Sequence, residues 1–278
     1  MKEDNDVRRI FLLNPDPRLL HEAARTGVQV RSAQADPLDE SALRPVLEEA
    51  VTAGLFVNSA RSLRLLADPA AVQRLVRDNR LSPDDTVPAA GANATRLSVE
   101  TLSVHGMHQA VGITARMPYG LLHPAPLTED AAAEVRAVVT ALLDLTGYQY
   151  GPAHTGVVLT SRGPVITGCR AGLARDPVPE LLRVAGGFDL AAGAVEVLSG
   201  RLVDAVRPAR YAAAAVLNPP WRLETAEVVV LPHVRHVSPP DSLGPGHLVV
   251  HADSPEVAAQ RVTSLTALVT GNGSGTNR

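Results

Sequence analysis

Residues 147–182 read GYQYGPAHTGVVLTSRGPVITGCRAGLARDPVPELL. Their order of turn, strand, tight turn, strand, loop and helix governs the reading of the rest of the chain. Residues 155–160 are rich in β-forming side chains, Ser161-Arg162-Gly163 supplies a turn, and residues 164–167 open a second strand. Pro177 and Pro179 then begin an apolar helix. Proline is favoured there because the N–H groups of a helix's first turn have no partner within it. Side chains on a pleated strand alternate between faces. Gly168 and Arg170 therefore share one face of the second strand, and Cys169 takes the other.

This stretch resembles the metal-binding hairpin of the ATP-grasp carboxylate–amine ligases. That family writes it G-x-x-H-T-E, then G-P-x-x-I-E-x-N-x-R, then P-E-L. Gly151, His154, Thr155, Gly163, Pro164, Pro179, Glu180 and Leu181 match. The same alignment puts Gly156 and Gly168 where the family has its two metal-binding glutamates, Arg170 at the asparagine and Gly172 at the arginine. Residues 54–76 resemble the family's linker helices, with Asn58, Ser59 and Asp68 matching and Pro69 at a lysine position. Residues 98–116 resemble S-V-E followed by G-I-T-x-K, with Glu100 kept and Arg116 at the lysine. The run GHLVVHADSPEVA at 246–258 resembles the C-terminal signature. Where the family places a lid over the nucleotide, residues 84–94 (DDTVPAAGANA) read as a short Pro/Gly/Asn connection.

The fold expected is α/β. An ATP-grasp-like core without the lid subdomain spans 98–270. A small, reduced Rossmann-like layer at 1–53 precedes it, followed by linker helices and the shortened connection at 54–97. Residues 271–278 read as a disordered tail. In the first layer, strands at 9–14 and 28–30 alternate with helices at 17–26 and 38–53. No G-x-G-x-x-G follows the first strand, so no dinucleotide site is expected. His105-Gly106 reads as a hairpin turn, 122–127 as a loop, and 129–146 as a helix capped by Thr128 and stopped by Gly147. Helices are expected at 179–185, 189–199 and 254–268, and strands at 212–217, 227–231 and 247–251.

Composition narrows the function classes. The chain has 278 residues, 45% hydrophobic, with a net charge of -3 and 3% aromatics. Neither a basic excess nor stacking platforms argue for nucleic acid. No run is long and apolar enough to span a bilayer, and the charged N-terminus lacks a signal core. Cys169 is the single cysteine, which rules out an internal disulfide framework. The expectation is a cytoplasmic protein, and the arginine, alanine and valine bias suggests a high-GC bacterial genome. The one lysine is Lys2, and no G-x-x-x-x-G-K is present. Arginine supplies charge but its planar fork does not fit a lysine's slot on phosphate.

ATP-grasp ligation, as the resemblance implies it, needs magnesium held by carboxylates against the triphosphate. With glycine at both carboxylate positions and no lysine, the expectation is no cofactor and no metal site. The leading reading is a degenerate ATP-grasp-like protein, inactive as a ligase. It would act as partner or scaffold subunit in an amino-acid-derived or specialised-metabolite pathway, as a homodimer or a heterodimer with an active paralogue. The alternative is an ATP-independent enzyme or binder of a small anionic or amino-acid-like ligand. There Arg116, Arg170 and Arg175 form an anion clamp, with His154 or Glu100 as acid/base. A surviving ligase is the third reading. Local alternatives stay open. His154 is an acid/base group or a hydrogen-bonded support of the hairpin. Arg175 joins the clamp, pairs with Asp176 or lies in solvent. Cys169 is expected to be buried and inert. His105 and His108 are expected at a solvent-facing hairpin tip. His233 and His236 fall on opposite faces of a strand, which argues against a joint metal site.

Overall fold

The computed structural model describes residues 8–83, 94–204, 207–240 and 245–271. The expected connection at 84–93 and the tail at 272–278 lie outside the described residues.

The chain opens with a two-stranded parallel sheet, β1 (Arg9–Leu13) and β2 (Gln29–Ala33), joined by α1 (Pro17–Arg25). Asp16 caps α1 by accepting from Arg18 N, and Pro17 occupies its first position. β1 is buried on both sides, as parallel strands usually are. Ile10 and Leu12 pack with Leu19 and Val28 of this layer and with Leu102, Phe188 and Leu198 of the core. Phe11 points the other way, onto Leu43, Leu47 and Leu55. The small layer is thus fixed to the core through shared apolar packing. Three helices follow: α2 (Glu40–Thr52), α3 (Ala60–Ala67) and α4 (Pro69–Asp78). Ser59 caps α3, and Asp68 both ends α3 and caps α4.

The core is an eight-stranded antiparallel sheet. Its members are β3 (Thr95–Val104), β4 (Met107–Met117), β5 (Gly120–His123), β6 (Gly151–Thr160), β7 (Gly163–Ala171), β8 (Tyr211–Leu217), β9 (Val234–Ser238) and β10 (Gly246–Ala252). They lie in the order β7-β6-β3-β4-β5-β8-β10-β9. α5 (Glu129–Thr146), capped by Thr128 and ended by Gly147 at φ 70°, covers one face of β3, β4, β6 and β7 with Val135, Val139, Leu142 and Leu143. α9 (Pro255–Thr270) covers β8 and β10. The other face meets α6 (Val178–Gly186) and α7 (Leu190–Leu198). Leu181 and Ala185 of α6 pack on Ala212, Ala214 and Val249.

Three sequence expectations are corrected. Leu122 and His123 are not loop: they belong to β5, where Leu121 to His123 pair with Ala214 to Ala212. The β-branched run at 227–231 is not a strand. It lies within α8 (Thr225–Val229) and the residues after it, because Glu224 and Glu227 form a capping box that favours a helical turn. The hairpin tip does not leave His108 in solvent. Its side chain is buried, hydrogen-bonded at Nδ1 to Ser103 Oγ at 2.7 Å, and burial lowers its pKa.

Candidate functional site

The expected hairpin is present, and its register decides what faces where. His154 sits opposite Arg170, Thr155 opposite Cys169, and Gly156 opposite Gly168. On the next strand Glu100 pairs with His154 and Ser98 with Gly156. One face of the sheet therefore carries Gly168 and Arg170 on β7, His154 and Gly156 on β6, Arg96, Ser98 and Glu100 on β3, and Thr114 and Arg116 on β4. Cys169 is on the opposite face, as the pleat requires, in the apolar layer under α5. Its Sγ accepts from Thr155 Oγ1 at 3.2 Å, and burial pushes its pKa up to about 11. A thiol held neutral and enclosed is not a nucleophile at neutral pH.

The segment entering α6 lies over the first face and leaves an open cavity of about 450 Å³. Arg96, Arg116, Arg170, Arg175 and His154 all line it, with Ser98, Thr114 and Asp176. The three arginines expected to form a clamp are brought together. Arg96 was missed, although its place two and four residues before Ser98 and Glu100 on a β-rich run puts it on their face. Arg96, Arg116 and Arg175 have no ion-pair partner among the described residues. Arg170 donates from Nη2 to Leu173 O at 2.8 Å. Burial lowers its pKa, the neighbouring Glu100 raises it, and Arg175 and Arg18 lower it further. Arg175 and Asp176 do not pair with each other. Asp176 instead reaches Arg18 at 3.8 Å, and Arg18 also holds Asp16, whose pKa falls chiefly through that hydrogen bond.

Glu100 and His154 form the polar floor. Glu100 is 1% exposed, and its Oε1 lies 2.8 Å from His154 Nδ1. A carboxylate oxygen accepts, so Nδ1 carries the proton and Nε2 keeps a lone pair. Nε2 has no hydrogen-bond partner among the described residues. A buried carboxylate that orients a histidine, whose other nitrogen is free in a cavity, is the arrangement of a positioned base.

The two glycines at the family's glutamate positions differ. A Cβ on Gly168 would meet nothing within 4 Å. A Cβ on Gly156 would lie 2.6 Å from Thr167 Oγ1. The β6–β7 register slips just there, between Gly156 and Val157, so Thr167 is a bulged residue whose hydroxyl fills the space beside Gly156. Gly172 has φ +110°, a backbone that resists an arginine. His233 and His236 do not meet each other. His233 stacks edge-on with His251, and His236 lies against His247.

The magnesium of a metal-bridged triphosphate, which the family resemblance implies, finds no fitting carboxylate set among these residues. Of the cleft carboxylates, Glu100 is committed to His154, and Asp176 faces Arg18. Among the described residues, no group of three or more His, Cys, Asp or Glu is placed to hold a metal ion.

Comparison with solved structures places the architecture. L-amino acid ligase from Bacillus licheniformis aligns with a TM-score of 0.70 at 15% identity, over 93% of this chain and 96% of that one. N5-carboxyaminoimidazole ribonucleotide synthetase from Thermotoga maritima aligns at 0.71 and 10% identity, over 95% and 99%. Glycinamide-RNase-transformylase T from Mycobacterium tuberculosis aligns at 0.70 and 15% identity, over 94% and 100%. The chain has the ATP-grasp fold. At these identities the likeness is one of fold. No protein-family model matches, and no curated protein sequence does. The ATP-grasp frame of this chain is thus furnished with arginines and a Glu–His pair. Among the described residues no helix is long and apolar enough to cross a membrane.

Proposed function

We propose that this protein binds a small molecule bearing a carboxylate or phosphate, in the arginine-lined cavity, and does not carry out magnesium-ATP-dependent ligation. One observation supports the reading most. Four guanidiniums converge on a single cavity, and three of them lack any ion-pair partner among the described residues. Unpaired like charges repel one another and give up hydration, so such a group is stable when an anion completes it. The short stretch between Pro83 and Thr95 adds to the reading. In sequence it is shorter than the lid that the family resemblance implies, and a lid is what would keep water from an acyl phosphate.

The test is calorimetry with small dicarboxylates, amino acids and phosphorylated acids, beside magnesium-ATP. The expected result is binding of a carboxylate or phosphate compound that weakens about tenfold or more in Arg116→Gln or Arg175→Gln. Micromolar ATP binding that needs magnesium, or ADP release with a carboxylic acid and an amine, would overturn the proposal.

The Glu100–His154 pair favours a second reading, in which the bound molecule also gives up a proton to His154 Nε2. A bound carboxylate would then exchange a C–H for deuterium from solvent, followed by NMR, and His154→Ala would abolish the exchange while retaining binding. Exchange that is equally fast in His154→Ala would refute it.

A further inference from the structure

A second cationic cluster lies at the far end of the sheet. α6 separates it from the cavity, packing on Ala212, Ala214 and Val249, and none of its members lines the cavity. It is centred on His251, which pairs with Ala212 at the start of β8. Arg235 Nη2 lies 3.0 Å from His251 Nε2, and Arg210 Nη1 lies 3.5 Å from His251 Nδ1. Arg261 Nη1 donates to the His251 carbonyl at 2.5 Å, and the His233 ring centroid is 5.6 Å away. Among the described residues, no carboxylate forms an ion pair with Arg210, Arg235 or Arg261.

The hydrogen bonds do not close. A guanidinium only donates, and a neutral imidazole has one N–H and one lone pair. The shorter contact assigns the lone pair to Nε2, so Nδ1 carries the proton. That N–H then points at Arg210, donor against donor, at the longer distance. An acceptor seated between them would satisfy both. Burial lowers the His251 pKa, and Arg235, Arg261, Arg210 and His233 lower it further. The cluster thus disfavours the charged form of its central imidazole.

We propose that Arg210, Arg235 and the Nδ1–H of His251 form a second anion site, for a phosphate-class oxyanion. The choice of phosphate over carboxylate follows from charge and shape. A phosphate dianion offsets more than one guanidinium and offers tetrahedral oxygens to donors arriving from different directions. A carboxylate has a single plane, which suits one fork.

The experiment is an NMR titration of the histidine Cε1–H resonances of the full chain with inorganic phosphate, pyrophosphate, glycerol phosphate and acetate, at fixed ionic strength. Arg116→Gln, which alters only the cavity, is used as a second background. Phosphate-class anions are expected to shift the His251 signal saturably and to raise its pKa, in both backgrounds alike. Arg235→Gln is expected to weaken that binding about tenfold or more, charge-assisted bonds being the strong ones. Pyrophosphate exceeding glycerol phosphate would mark an inorganic or polyphosphate ligand, and the reverse a phosphomonoester; either supports the site. No saturable shift, an equal response to acetate, or an unchanged response in Arg235→Gln would overturn it. So would loss of the shift in Arg116→Gln, which would trace the signal to the cavity.

Discussion

Alanine at Gly156 and at Gly168 should have unequal consequences, although the two glycines face each other across one hairpin. Neither has a positive φ, so each accepts a Cβ by backbone conformation. Gly→Ala at such a site stabilises by about 0.4–1 kcal/mol, because the unfolded chain loses freedom. Gly168 should show that gain in full, since its Cβ meets open space. At Gly156 the new Cβ would stand 2.6 Å from Thr167 Oγ1, a contact real side chains do not make. The obstacle is a hydroxyl on a rotatable side chain, not backbone. Relief by turning Thr167 off its rotamer costs about 0.5–1.5 kcal/mol. Gly156→Ala should therefore be about 1 kcal/mol less stable than Gly168→Ala. Thr167 Cβ lies 3.9 Å from the same point, an ordinary contact. In a Thr167→Ala background the difference should vanish, and the cycle isolates the pairwise contribution. Urea unfolding of the parent, the three single variants and the two double variants measures it. Equal stability of the two alanine variants, or a difference that survives Thr167→Ala, would refute the idea that Thr167 occupies the space beside Gly156.

Two other perturbations follow from buried polar groups. Asn58 ties the linker to the turn before β6. Its Oδ1 accepts from Gln149 N and Tyr150 N, and its Nδ2 donates to Tyr150 O at 2.7 Å. Asn58→Ala should cost about 3 kcal/mol, three backbone groups losing their partner, read as a lowered thermal midpoint. His123 is 2% exposed, and burial depresses its pKa from 6.5 to about 4. The unfolded chain thus binds more protons between those values, so stability is full above pH 6.5 and is lost as pH falls to about 4. The loss should approach about 3 kcal/mol, at about 1.4 kcal/mol per pH unit. Denaturant unfolding from pH 7.5 to 4.5 should show a slope that His123→Asn flattens; an equal slope in the variant would remove the assignment.

The hairpin was legible because its signals are local. Glycine and proline punctuate it, and period-two alternation assigns Arg170 and Cys169 to opposite faces without reference to the rest of the chain. The same alternation placed Glu100 beside His154 only once strand pairing was known, and it would have added Arg96. Other features were hidden because the deciding contact is distant or competes with propensity. β5 is four residues long and is held as a strand by β4 and β8 from both sides. The Val-rich run in α8 looks extended until its acidic cap is counted. Thr167 was invisible because a bulge is set by the register of two strands, not by the composition of either.

β5 has a mechanical consequence. It joins β4 through three residue pairs and β8 through three, fewer than any other junction of the large sheet among the described residues. The sheet is thus joined most narrowly at β5. Arg116 stands at that junction, opposite Leu121, while Arg170 stands three strands away on an outermost strand. Any displacement of one side of the sheet against the other would meet the fewest backbone hydrogen bonds at β5.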